Sequence, residues 1–400
     1  MKILMLTPYL PYPPSSGGQI RSYNLIKELS KHHEIYLIGL IKQETEKKHI
    51  EHLKKYCKEI YACSRSKTPW TLKNILKSVF GVLPFVVIRN YSQEARIIVE
   101  KLLKNEKIDL IHAETFYVMP HIPETKVPIL LVEQTIEYKV YQHYLDNLKV
   151  PLLPLFLQID IMKLKYWEKT YWEKATIVGA VSEEDRDQMH KLIPQLPVEI
   201  IPNAAGEDLM ELYSKKLHNN PTTFLYVANF SWLQNVEGAQ ILAQKVFPEI
   251  LSEIPQANCI IAGQYAADKI SNLVGDRIEI LDLPRDSISA VKDAYSRGSI
   301  FIAPLEGPGG TRLKILGAMA TGLPVISSKT GVAGLDVTDG VNVLIAKTPH
   351  EFAVKAKQIL RDHQLFSLIR ANARKLVEDQ YAYPKIALKL EKVYRQIKQS

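Results

Sequence analysis

The segment at residues 304–327 combines glycines and cations in a pattern suited to phosphate chemistry. It contains the run GPGGTRLK at residues 307–314, then an apolar stretch, then Gly322 and Pro324 before a new apolar run. The pattern predicts a strand, a glycine-rich turn, a helix that ends at Gly322, and a second strand. Glycines let backbone N–H groups approach an anion, and the N-terminus of the helix adds a positive dipole. The predicted phosphate or diphosphate site comprises Gly309, Gly310, Thr311, Arg312 and Lys314.

This glycine-rich turn differs from the common nucleotide-binding motifs, because its spacing matches neither G-x-x-x-x-G-K-[ST] nor G-x-G-x-x-G. The alternative interpretation is a tight turn followed by two solvated basic residues. Asn235 lies at the start of a predicted helix, where its amide can bind a phosphate or cap the helix. Glu306 follows a predicted strand and either binds substrate hydroxyls or only closes the strand.

Strand-like and helix-like segments alternate along the whole chain, which is the pattern of parallel sheets wrapped by helices. The predicted fold class is therefore α/β. The pattern restarts at residue 223 after a polar stretch, so we predict two doubly wound, Rossmann-like domains. The predicted domains are residues 1–205 and 206–380, and a helix at residues 381–400 can pack back on the first domain.

Polar residues cluster where the predicted strands end. Open parallel sheets bind their ligands outside the carboxyl ends of the strands. In the first domain, the candidate residues at these positions are Gly17, Gly18, His112, Glu114, Gln134 and Glu137. In the second domain they are Asn229, Gln264 and Glu306. A central cleft between two such faces suits an enzyme that joins two substrates.

The composition is that of a folded protein, with 46% hydrophobic and 24% charged residues. The sequence holds no run of about 18 uncharged apolar residues, and the apolar start is too short before its prolines for a signal peptide. These observations predict a cytoplasmic protein. Cys57, Cys63 and Cys259 lack the spacing of a disulfide framework or a zinc site.

Positive charge is concentrated in the first quarter of the chain. Residues 1–108 contain 19 Lys and Arg against 9 Asp and Glu, whereas the whole chain has a net charge of +8. No nucleic-acid-binding module is recognisable, so nucleic acid is not a predicted partner. Residues 70–88 predict a basic amphipathic helix followed by an apolar run, which favours peripheral contact with an anionic membrane. The alternative is a helix whose apolar face packs on the core.

A metal site is not predicted. The one D-x-D sequence is Asp185-Arg186-Asp187, and it lies at a helix start where Ser182 and Asp185 have the spacing of a capping box. The charge of a phosphate leaving group can instead be neutralised by fixed cations and helix dipoles. We therefore predict neither a metal ion nor another cofactor.

These features together resemble the retaining glycosyltransferases of family 4, which have the two-domain GT-B architecture. The segment at residues 304–327 is similar to the signature of that family. The runs VSEED at 181–185 and IPN at 201–203 resemble two further landmarks, as do GVAGL at 331–335 and DGVN at 339–342. The resemblance covers nearly the whole chain. It implies transfer of a sugar from a nucleoside diphosphate sugar with retained anomeric configuration.

The resemblance also implies roles for the candidate residues. Gly17 and Gly18 resemble a donor-facing glycine loop, and Asn235, Glu306 and the turn at 309–311 would also contact the donor. The predicted catalytic residues are Arg312, Lys314, Gln134 and Glu137. Arg312 and Lys314 would stabilise the leaving diphosphate, while Gln134 would position the sugar. His112 and Glu114 would bind the acceptor or the sugar.

Three positions depart from the family pattern. Gly309 and Gly317 stand where members commonly have two glutamates, the second of which binds the donor ribose. Gly317 is therefore either a close-packing position or a functional change, because glycine weakens a helix. Gln134 replaces a usual histidine and cannot carry a proton, so it either binds a sugar hydroxyl or is a loop amide bonded to backbone. No basic residue lies between Asn229 and Gln244, where members often have two.

The sequence predicts a retaining, metal-independent glycosyltransferase that uses a UDP or GDP sugar. The acceptor would be a glycan or a lipid-linked molecule of cell-surface polysaccharide synthesis, reached from the inner face of the membrane. Two alternatives remain open. One is a catalytically impaired subunit that binds sugar nucleotides, and the other is a nucleotide-sugar hydrolase or epimerase of the same fold.

Overall fold

A computed structural model describes residues 1–146, 153–213, 222–284, 287–307 and 312–399. The chain divides into two compact units. Unit 1 comprises Met1–Pro202 with Ile386–Ser400, and unit 2 comprises Asn203–Lys385. Each unit contains one parallel sheet with interspersed helices, so the predicted α/β class with two doubly wound domains is confirmed.

Unit 1 contains a seven-stranded sheet. Its strands are β1 (Lys2–Thr7), β2 (Glu34–Ile41), β3 (Glu59–Ser64), β4 (Leu110–Glu114), β5 (Ile129–Glu133), β6 (Ile177–Ala180) and β7 (Val198–Ile200). Their order across the sheet is β3-β2-β1-β4-β5-β6-β7, and every pairing is parallel. The order changes direction between β1 and β4, and such a switch point is where open α/β sheets bind ligands.

Eight helices of unit 1 precede unit 2 along the chain in the described residues. They are α1 (Gly17–Leu29), α2 (Ile50–Leu53), α3 (Leu72–Phe80), α4 (Phe85–Asn90), α5 (Gln93–Asn105), α6 (Glu137–Asp146), α7 (Leu153–Lys174) and α8 (Glu183–Leu192). Short 3₁₀ helices cover Glu44–His49 and Phe116–His121. The helices α1, α3, α5 and α8 begin at a Ser or Thr whose side-chain oxygen accepts a hydrogen bond from a backbone N–H of the first turn.

Unit 2 contains a six-stranded parallel sheet. Its strands are β8 (Thr223–Val227), β9 (Asn258–Gly263), β10 (Ile278–Asp282), β11 (Ile300–Ala303), β12 (Val325–Ser327) and β13 (Leu344–Ile345). The order is β10-β9-β8-β11-β12-β13, so the direction changes between β8 and β11. The helices are α9 (Glu207–Met210), α10 (Leu233–Ile241), α11 (Phe247–Glu253), α12 (Ala266–Ile270), α13 (Ile288–Arg297), α14 (Leu313–Thr321), α15 (Pro349–Arg361) and α16 (His363–Gln380).

The chain ends in α17 (Tyr383–Gln399), whose residues from Ile386 onward belong to unit 1. Tyr394 on this helix donates or accepts a 2.5 Å hydrogen bond with Nδ1 of His112 on β4. Lys398 forms a 3.0 Å ion pair with Asp109, directly before β4. These two polar contacts hold α17 against β4, a central strand of unit 1.

The strands next to each switch point are buried on both faces, as parallel strands covered by helices must be. All five residues of β4 and all five of β8 are buried. On α14, the predicted end at Gly322 is confirmed. Gly322 has φ 79°, a left-handed conformation that glycine adopts without steric strain, and it ends the helix directly before Pro324 and β12.

One local prediction needs correction. The helix predicted to start at Asn235 instead begins at Leu233 as α10, which is followed by a π-helical segment at Leu242–Val246 and by α11. Pro248 lies in the first turn of α11, where its missing N–H breaks the regular hydrogen-bond ladder. Strand β13 has only two residues, too few to produce a periodic signal in the sequence.

The amphipathic helix α3 is oriented with its apolar side outward. Its buried residues are Asn74 and Ser78, whereas Leu72 is 72% exposed and Phe80 is 83% exposed. The alternative that this helix packs an apolar face on the core is therefore wrong. The predicted membrane segment also extended too far, because Phe85, Val86 and Val87 of α4 are buried in unit 1. No helix among the described residues is both long and apolar enough to cross a membrane.

Candidate active site

Lys314 is the centre of a polar cluster at the strand ends of unit 2. It lies in the first turn of α14, and its ammonium group donates hydrogen bonds to Oδ1 of Asn235 and to the Tyr226 hydroxyl, the latter at 3.3 Å. The same ammonium lies 5.0 Å from the centre of the Tyr226 ring, within range of a cation–π interaction. All its partners in the described residues are neutral.

The cluster continues across the ends of β8 and β9. Asn235 donates from Nδ2 to the carbonyl of Asn229 at 2.7 Å, and Asn229 donates from Nδ2 to Oε1 of Gln264 at 2.9 Å. We call Tyr226, Asn229, Asn235, Gln264 and Lys314 the lysine cluster. It joins the first turns of α10 and α14 to two strand ends, and its amides offer both donors and acceptors to a ligand.

The predicted capping role of Asn235 is wrong. Helix α10 begins at Leu233, with Trp232 in the cap position, so Asn235 lies inside the first turn. Its side chain is buried and bonds to Asn229 and Lys314 instead of to a helical N–H. The sequence could not reveal this arrangement, because the contact with Lys314 spans 79 residues.

Arg312 lies directly before α14 and is buried. Its Nη2 donates to the carbonyl of Gly307 at 2.6 Å. Burial, together with the nearby positive charge of Arg312, holds the pKa of Lys314 well below its usual range. A bound anion would reverse the effect of Arg312 and favour the ammonium form. The turn residues Gly309, Gly310 and Thr311, predicted to contact the same anion, lie outside the described residues.

Gly317 is packed closely within α14. A β-carbon at this position would lie 2.9 Å from Leu209 Cδ1 and 2.9 Å from the Tyr295 hydroxyl oxygen. That hydroxyl donates a 3.1 Å hydrogen bond to the carbonyl of Lys314. Of the two interpretations of Gly317, the structure favours close packing, since the space of a larger side chain is already filled. Glu306, in contrast, is exposed after β11.

In unit 1, Glu114 is the centre of a second network. It ends β4, is fully buried, and accepts a 2.9 Å hydrogen bond from Nε2 of Gln134. Its Oε1 lies 3.6 Å from Nε of Arg21 and 3.2 Å from Nε2 of His112. Burial acts to raise the pKa of Glu114, but the charge of Arg21 and the contacts with His112 and Gln134 outweigh it and hold the pKa below its usual value.

Gln134 connects this network to the chain after β1. Its Nε2 also donates to the Tyr9 hydroxyl at 3.3 Å, and Tyr9 is hydrogen-bonded to Ser22 at 3.2 Å. We call Tyr9, Arg21, His112, Glu114 and Gln134 the glutamate network. Gln134 is therefore bonded to side chains rather than to backbone, and it remains partly exposed. The structure thus brings the sequence candidates His112, Glu114 and Gln134 together.

The predicted glycine loop lies in the first turn of α1. Gly17 is exposed, while a β-carbon on Gly18 would come within 2.9 Å of three Tyr9 ring and hydroxyl atoms. Three residues later, Arg21 faces inward and donates from Nη1 to the carbonyl of Pro202 at 2.8 Å. Gly18 thus allows Tyr9 to pack on α1, and its direct contact with a donor stays a prediction.

Three further carboxyl groups are buried around β5. Glu133 accepts hydrogen bonds at 3.1 Å from the Phe116 N–H and from Nε1 of Trp172, and Glu168 accepts at 2.8 Å from the Glu137 N–H. Burial raises the pKa of Glu137 to about 7 and that of Glu168 to about 8, and it raises the pKa of Glu133 well above its usual value. Glu137, the first residue of α6, is a carboxyl group that can change protonation near neutral pH.

Sequence reasoning missed Arg21, Tyr9 and Glu168, which form part of these networks. Glu168 lies in the middle of α7, 31 residues from its partner Glu137, and nothing in the local pattern separates it from a surface glutamate. The backbone beside Glu114 is also strained, and the sequence does not reveal this strain. Thr115, directly after Glu114, has φ 75°, a conformation that β-branched residues rarely adopt.

The described residues contain no group of three or more His, Cys, Asp or Glu side chains placed to bind a metal ion. Ser182 caps α8 by accepting from the Asp185 N–H at 3.1 Å, and its hydroxyl donates to Asp185 Oδ2 at 2.6 Å. The capping interpretation of Asp185 is therefore confirmed. Asp187 is paired with the adjacent Arg186 at 3.1 Å.

Known proteins resemble the chain in both sequence and fold. Residues 221–362 match the family model Glycosyl transferases group 1, a segment that contains the whole lysine cluster. A Klebsiella pneumoniae protein, described as an uncharacterized 44.6 kDa protein in cps region, is 23% identical over 398 residues, 96% of this chain and 97% of that one.

Solved structures similar to the chain include sucrose-phosphate synthase from Thermosynechococcus elongatus, with a TM-score of 0.73, 17% identity and coverage of 99% of both chains. Anabaena HepE in complex with UDP and glucose has a TM-score of 0.63 and 14% identity, covering 99% of this chain and 100% of that one. The pneumococcal O-GlcNAc transferase GtfA, in complex with UDP and GlcNAc, has a TM-score of 0.63 and 12% identity, with 100% and 99% covered. At these identities the likeness establishes the fold. Residues 221–362 are thus similar in sequence to Glycosyl transferases group 1, and the chain has the fold of GT-B glycosyltransferase structures.

Proposed function

We propose that the protein transfers a sugar from a UDP or GDP sugar to a glycan or lipid-linked acceptor in cell-surface polysaccharide synthesis. The observation that carries this proposal is a pair of cations at the strand ends of unit 2, the half-buried Lys314 and the buried Arg312. Nucleoside diphosphate sugars present two adjacent phosphates, and departure of the diphosphate builds up charge that fixed cations stabilise. HepE and GtfA were solved with UDP, and the Klebsiella relative is described by its cps region.

In this mechanism, Arg312 and Lys314 contact the diphosphate directly. The low pKa of free Lys314 rises when the anion arrives, so that the ammonium is charged when the leaving group departs. Asn235 holds the ammonium in position through Oδ1, and Tyr226 supports it from the other side. Fixed cations supply this neutralisation without a metal ion or other cofactor. Retention of the anomeric configuration is proposed from the family resemblance.

The glutamate network is proposed to serve the sugar or the acceptor. Glu114 and His112 are fully buried, so they act by positioning Gln134, which is partly exposed and has amide groups suited to sugar hydroxyls. Glu137 begins α6 three residues after Gln134, and its pKa of about 7 suits proton exchange with an acceptor hydroxyl.

The test of this proposal begins with nucleotide binding. We expect one of UDP, GDP, ADP and CMP to raise the thermal unfolding temperature selectively, because ligand at about 100 times its Kd adds roughly 2.7 kcal/mol to the stability of the folded state. The matched variants are Lys314→Met and Lys292→Met, since Lys292 is a lysine of the same unit paired with Glu211. Only Lys314→Met should lose the nucleotide response. An equal response in both variants would place the diphosphate elsewhere.

Turnover separates the proposal from its alternatives. Donor consumption that requires an added membrane-lipid fraction or glycan supports a transferase, and NMR of the anomeric proton in the product tests retention. Donor consumption without an acceptor would instead indicate a hydrolase or epimerase. Nucleotide binding without consumption across a broad acceptor panel would indicate the impaired subunit.

We further propose that the enzyme acts from the cytoplasm, peripherally on an anionic membrane, through an exposed apolar patch on unit 1. The patch consists of Trp70, Leu72, Leu76, Val79, Phe80 and Val82, with Met162 and Tyr166 of α7. Residues 65–89 contain five Lys and Arg and no Asp or Glu. An apolar surface in a cationic segment is complementary to anionic lipid, since each basic residue contributes about 1 kcal/mol near such a surface.

Polar contacts hold the apolar face of α3 outward. The buried hydroxyl of Ser78 donates to Asp160 at 2.7 Å, and Lys163 donates to the carbonyls of Ser78 and Gly81, each at 2.6 Å. Nε1 of Trp167 donates to the carbonyl of Val82 at 2.8 Å. A rotation that buried the apolar face would break these bonds, so the exposure of the patch is fixed by the fold.

Vesicle sedimentation tests this membrane contact. The protein should bind vesicles of phosphatidylglycerol and phosphatidylcholine, and Leu76→Ser with Phe80→Ser should weaken binding at least tenfold. Lys73→Glu with Lys77→Glu should weaken binding only to the anionic vesicles. Ile97→Ser is the control, since Ile97 is 55% exposed on α5, outside the patch. Equal binding by all variants would refute the contact.

A further inference from the structure

Arg65 and Arg89 are two half-buried cations of unit 1 that the proposed transfer does not use. Arg65 follows β3, and Arg89 lies in the last turn of α4. The Nε atom of each guanidinium is buried and has no hydrogen-bond partner. Arg65 donates from Nη1 to Oδ1 of Asn90, and Arg89 donates from Nη2 to the Tyr141 hydroxyl at 3.4 Å. Neither forms an ion pair with any carboxylate that the structure describes.

The charges of Arg65 and Arg89 both act on the same tyrosine, Tyr117. Burial raises the pKa of the Tyr117 hydroxyl, and the positive charges of both Arg89 and Arg65 oppose that rise. Burial lowers the pKa of Arg65 itself, and the charge of Arg89 contributes to this shift. These mutual effects group Arg65, Arg89 and Tyr117 around one location in unit 1, beside Tyr141 and Glu137.

Glu137 does not neutralise the arginines. Its carboxyl group forms no hydrogen bond or ion pair with the described residues, and burial raises its pKa to about 7 despite the opposing charge of Arg89. At neutral pH much of it is therefore protonated. The charge of Glu46 acts on Arg65 without forming an ion pair. The two half-buried guanidinium groups therefore have no paired carboxylate among the described residues, and a bound anion would compensate their charge.

We propose that Arg65 and Arg89 bind a phosphate group of the acceptor. Guanidinium groups bind phosphate oxygens through paired, charge-assisted hydrogen bonds, and each arginine here has a buried Nε–H donor without a partner. The inference rests on the proposed transferase function and adds to it a phosphate recognition element in unit 1.

The position of the two arginines favours a lipid phosphate as the source. Arg65 and Arg89 mark the two ends of the cationic segment 65–89, and the exposed apolar helix α3 lies between them along the chain. A lipid-linked acceptor has a phosphate next to an apolar chain. One segment of unit 1 thus provides two arginines for the phosphate and an apolar face for the surrounding lipid.

The test compares lipid phosphates of different chemistry. Vesicles that contain polyprenyl phosphate should bind the full-length protein more tightly than vesicles in which phosphatidylglycerol gives the same surface charge. Arg65→Gln and Arg89→Gln should each remove most of this preference, about tenfold in affinity, since each removes a charge-assisted contact. Lys73→Gln is the matched control, and it should weaken binding to both vesicles equally.

Stability measurements separate a binding role from a structural one. Without ligand, Arg65→Gln and Arg89→Gln should have unfolding temperatures equal to or above that of the wild type, because each removes a half-buried positive charge that no described carboxylate pairs. A clear fall in both would assign the arginines a structural role and overturn the proposal. Arg89→Lys, which retains the charge but not the paired donors, should fold normally and still lose the lipid preference.

Two further measurements distinguish failure of this inference from failure of the transferase proposal. Glucose 1-phosphate, as a soluble monoester, should stabilise the wild type but not Arg89→Gln if the phosphate alone suffices, and equal stabilisation of the two would overturn the proposal. The nucleotide response is measured in the same variants. An intact nucleotide response with no phosphate preference refutes only this inference, whereas loss of all nucleotide response in the wild type refutes the transferase.

Discussion

The two units have the same type of parallel sheet, but among the described residues only unit 1 buries carboxylates. In unit 1, Glu114, Glu133, Glu137 and Glu168 are buried near the strand ends, and three of them have hydrogen-bond donors beside them. In unit 2, none of the buried polar residues that the structure describes is a carboxylate, and the buried ions are Arg312 and Arg370, with Lys314 nearby. Lys314 has only neutral partners among the described residues.

This difference separates a carboxylate that already has cationic and hydrogen-bonding neighbours from a cation that can receive an anionic ligand. Glu114 is already matched by Arg21, His112 and Gln134, so its charge is stabilised within the protein. Lys314 is held at a pKa well below its usual range, mainly because burial disfavours the charged form. A bound anion would stabilise the charged form of Lys314, but it would not stabilise the carboxylate of Glu114. Unit 2 is therefore the unit in which we expect the donor diphosphate to bind.

The comparison between the two units predicts its largest effect for the loss of the Lys314 charge. Lys314→Met keeps much of the side-chain volume and should lower kcat for donor turnover about 100-fold to 1,000-fold, the range for removal of one charge-stabilising donor. The unfolding temperature without ligand should not fall, since the surroundings of Lys314 already disfavour the charge that the variant removes. The measurement is the initial rate at saturating donor, with Lys292→Met as control. Unchanged kcat in the folded variant would contradict the assignment.

The second prediction concerns the buried acids of unit 1. The pKa of Glu133 is raised well above its ordinary 4.5, mainly by burial and also by Glu168, so the folded state binds a proton more tightly than the unfolded chain. This stability is fully present below pH 4.5 and is lost as the pH rises through the raised pKa, by about 1.4 kcal/mol per unit. Through Glu133, the wild type should therefore become less stable as the pH rises above 4.5.

Glu133→Gln should flatten this decline. The amide oxygen can keep the hydrogen bonds from the Phe116 N–H and from Trp172, both now made to one oxygen of Glu133, while the charge is removed. Urea unfolding at several pH values measures the effect, and Glu34→Gln, at an exposed position on β2, should retain the wild-type slope. Equal slopes in all three proteins would show that unit 1 does not hold Glu133 protonated.

The sequence predicted the sheets better than the contacts between their ends. Most strands are continuous apolar runs followed by turn residues, and this local signal predicted the alternation of strands and helices and its restart at residue 223, where β8 begins. The same logic placed Lys314, Asn235 and Gln134 near strand ends. It could not find that Lys314 contacts Asn235, or that Glu168 bonds to Glu137, because these contacts join side chains 79 and 31 residues apart.

Helix α3 shows a second limit of sequence reasoning. Its periodicity predicted an amphipathic helix, which the structure has, but periodicity does not say which side faces inward. Ser78 and Asn74 face inward because each finds a partner there, Ser78 on Asp160 and Asn74 on Ser66 and the Pro69 carbonyl. The direction of an amphipathic face depends on such distant polar partners.

The smallest predicted effect, a change in the free energy of unfolding, tests why residue 317 of unit 2 is glycine. Replacing a helical glycine by alanine stabilises a helix by up to about 1 kcal/mol, whereas an added methyl group in a filled core costs about 1–3 kcal/mol. The new β-carbon would lie 2.9 Å from both Leu209 Cδ1 and the Tyr295 hydroxyl oxygen. We therefore expect Gly317→Ala to lower the free energy of unfolding by about 1 kcal/mol, as measured by urea denaturation.

Tyr295→Phe provides the matched background for this prediction. It removes the hydroxyl that contacts the new methyl group and that donates to the Lys314 carbonyl at 3.1 Å. In that background, Gly317→Ala should cost less than in the wild type, because the closest rigid atom is gone. Gly317→Glu should weaken nucleotide binding, since it displaces Tyr295 from the backbone of Lys314. If Gly317→Glu instead tightens nucleotide binding without loss of stability, Gly317 is a lost donor contact and not a packing position.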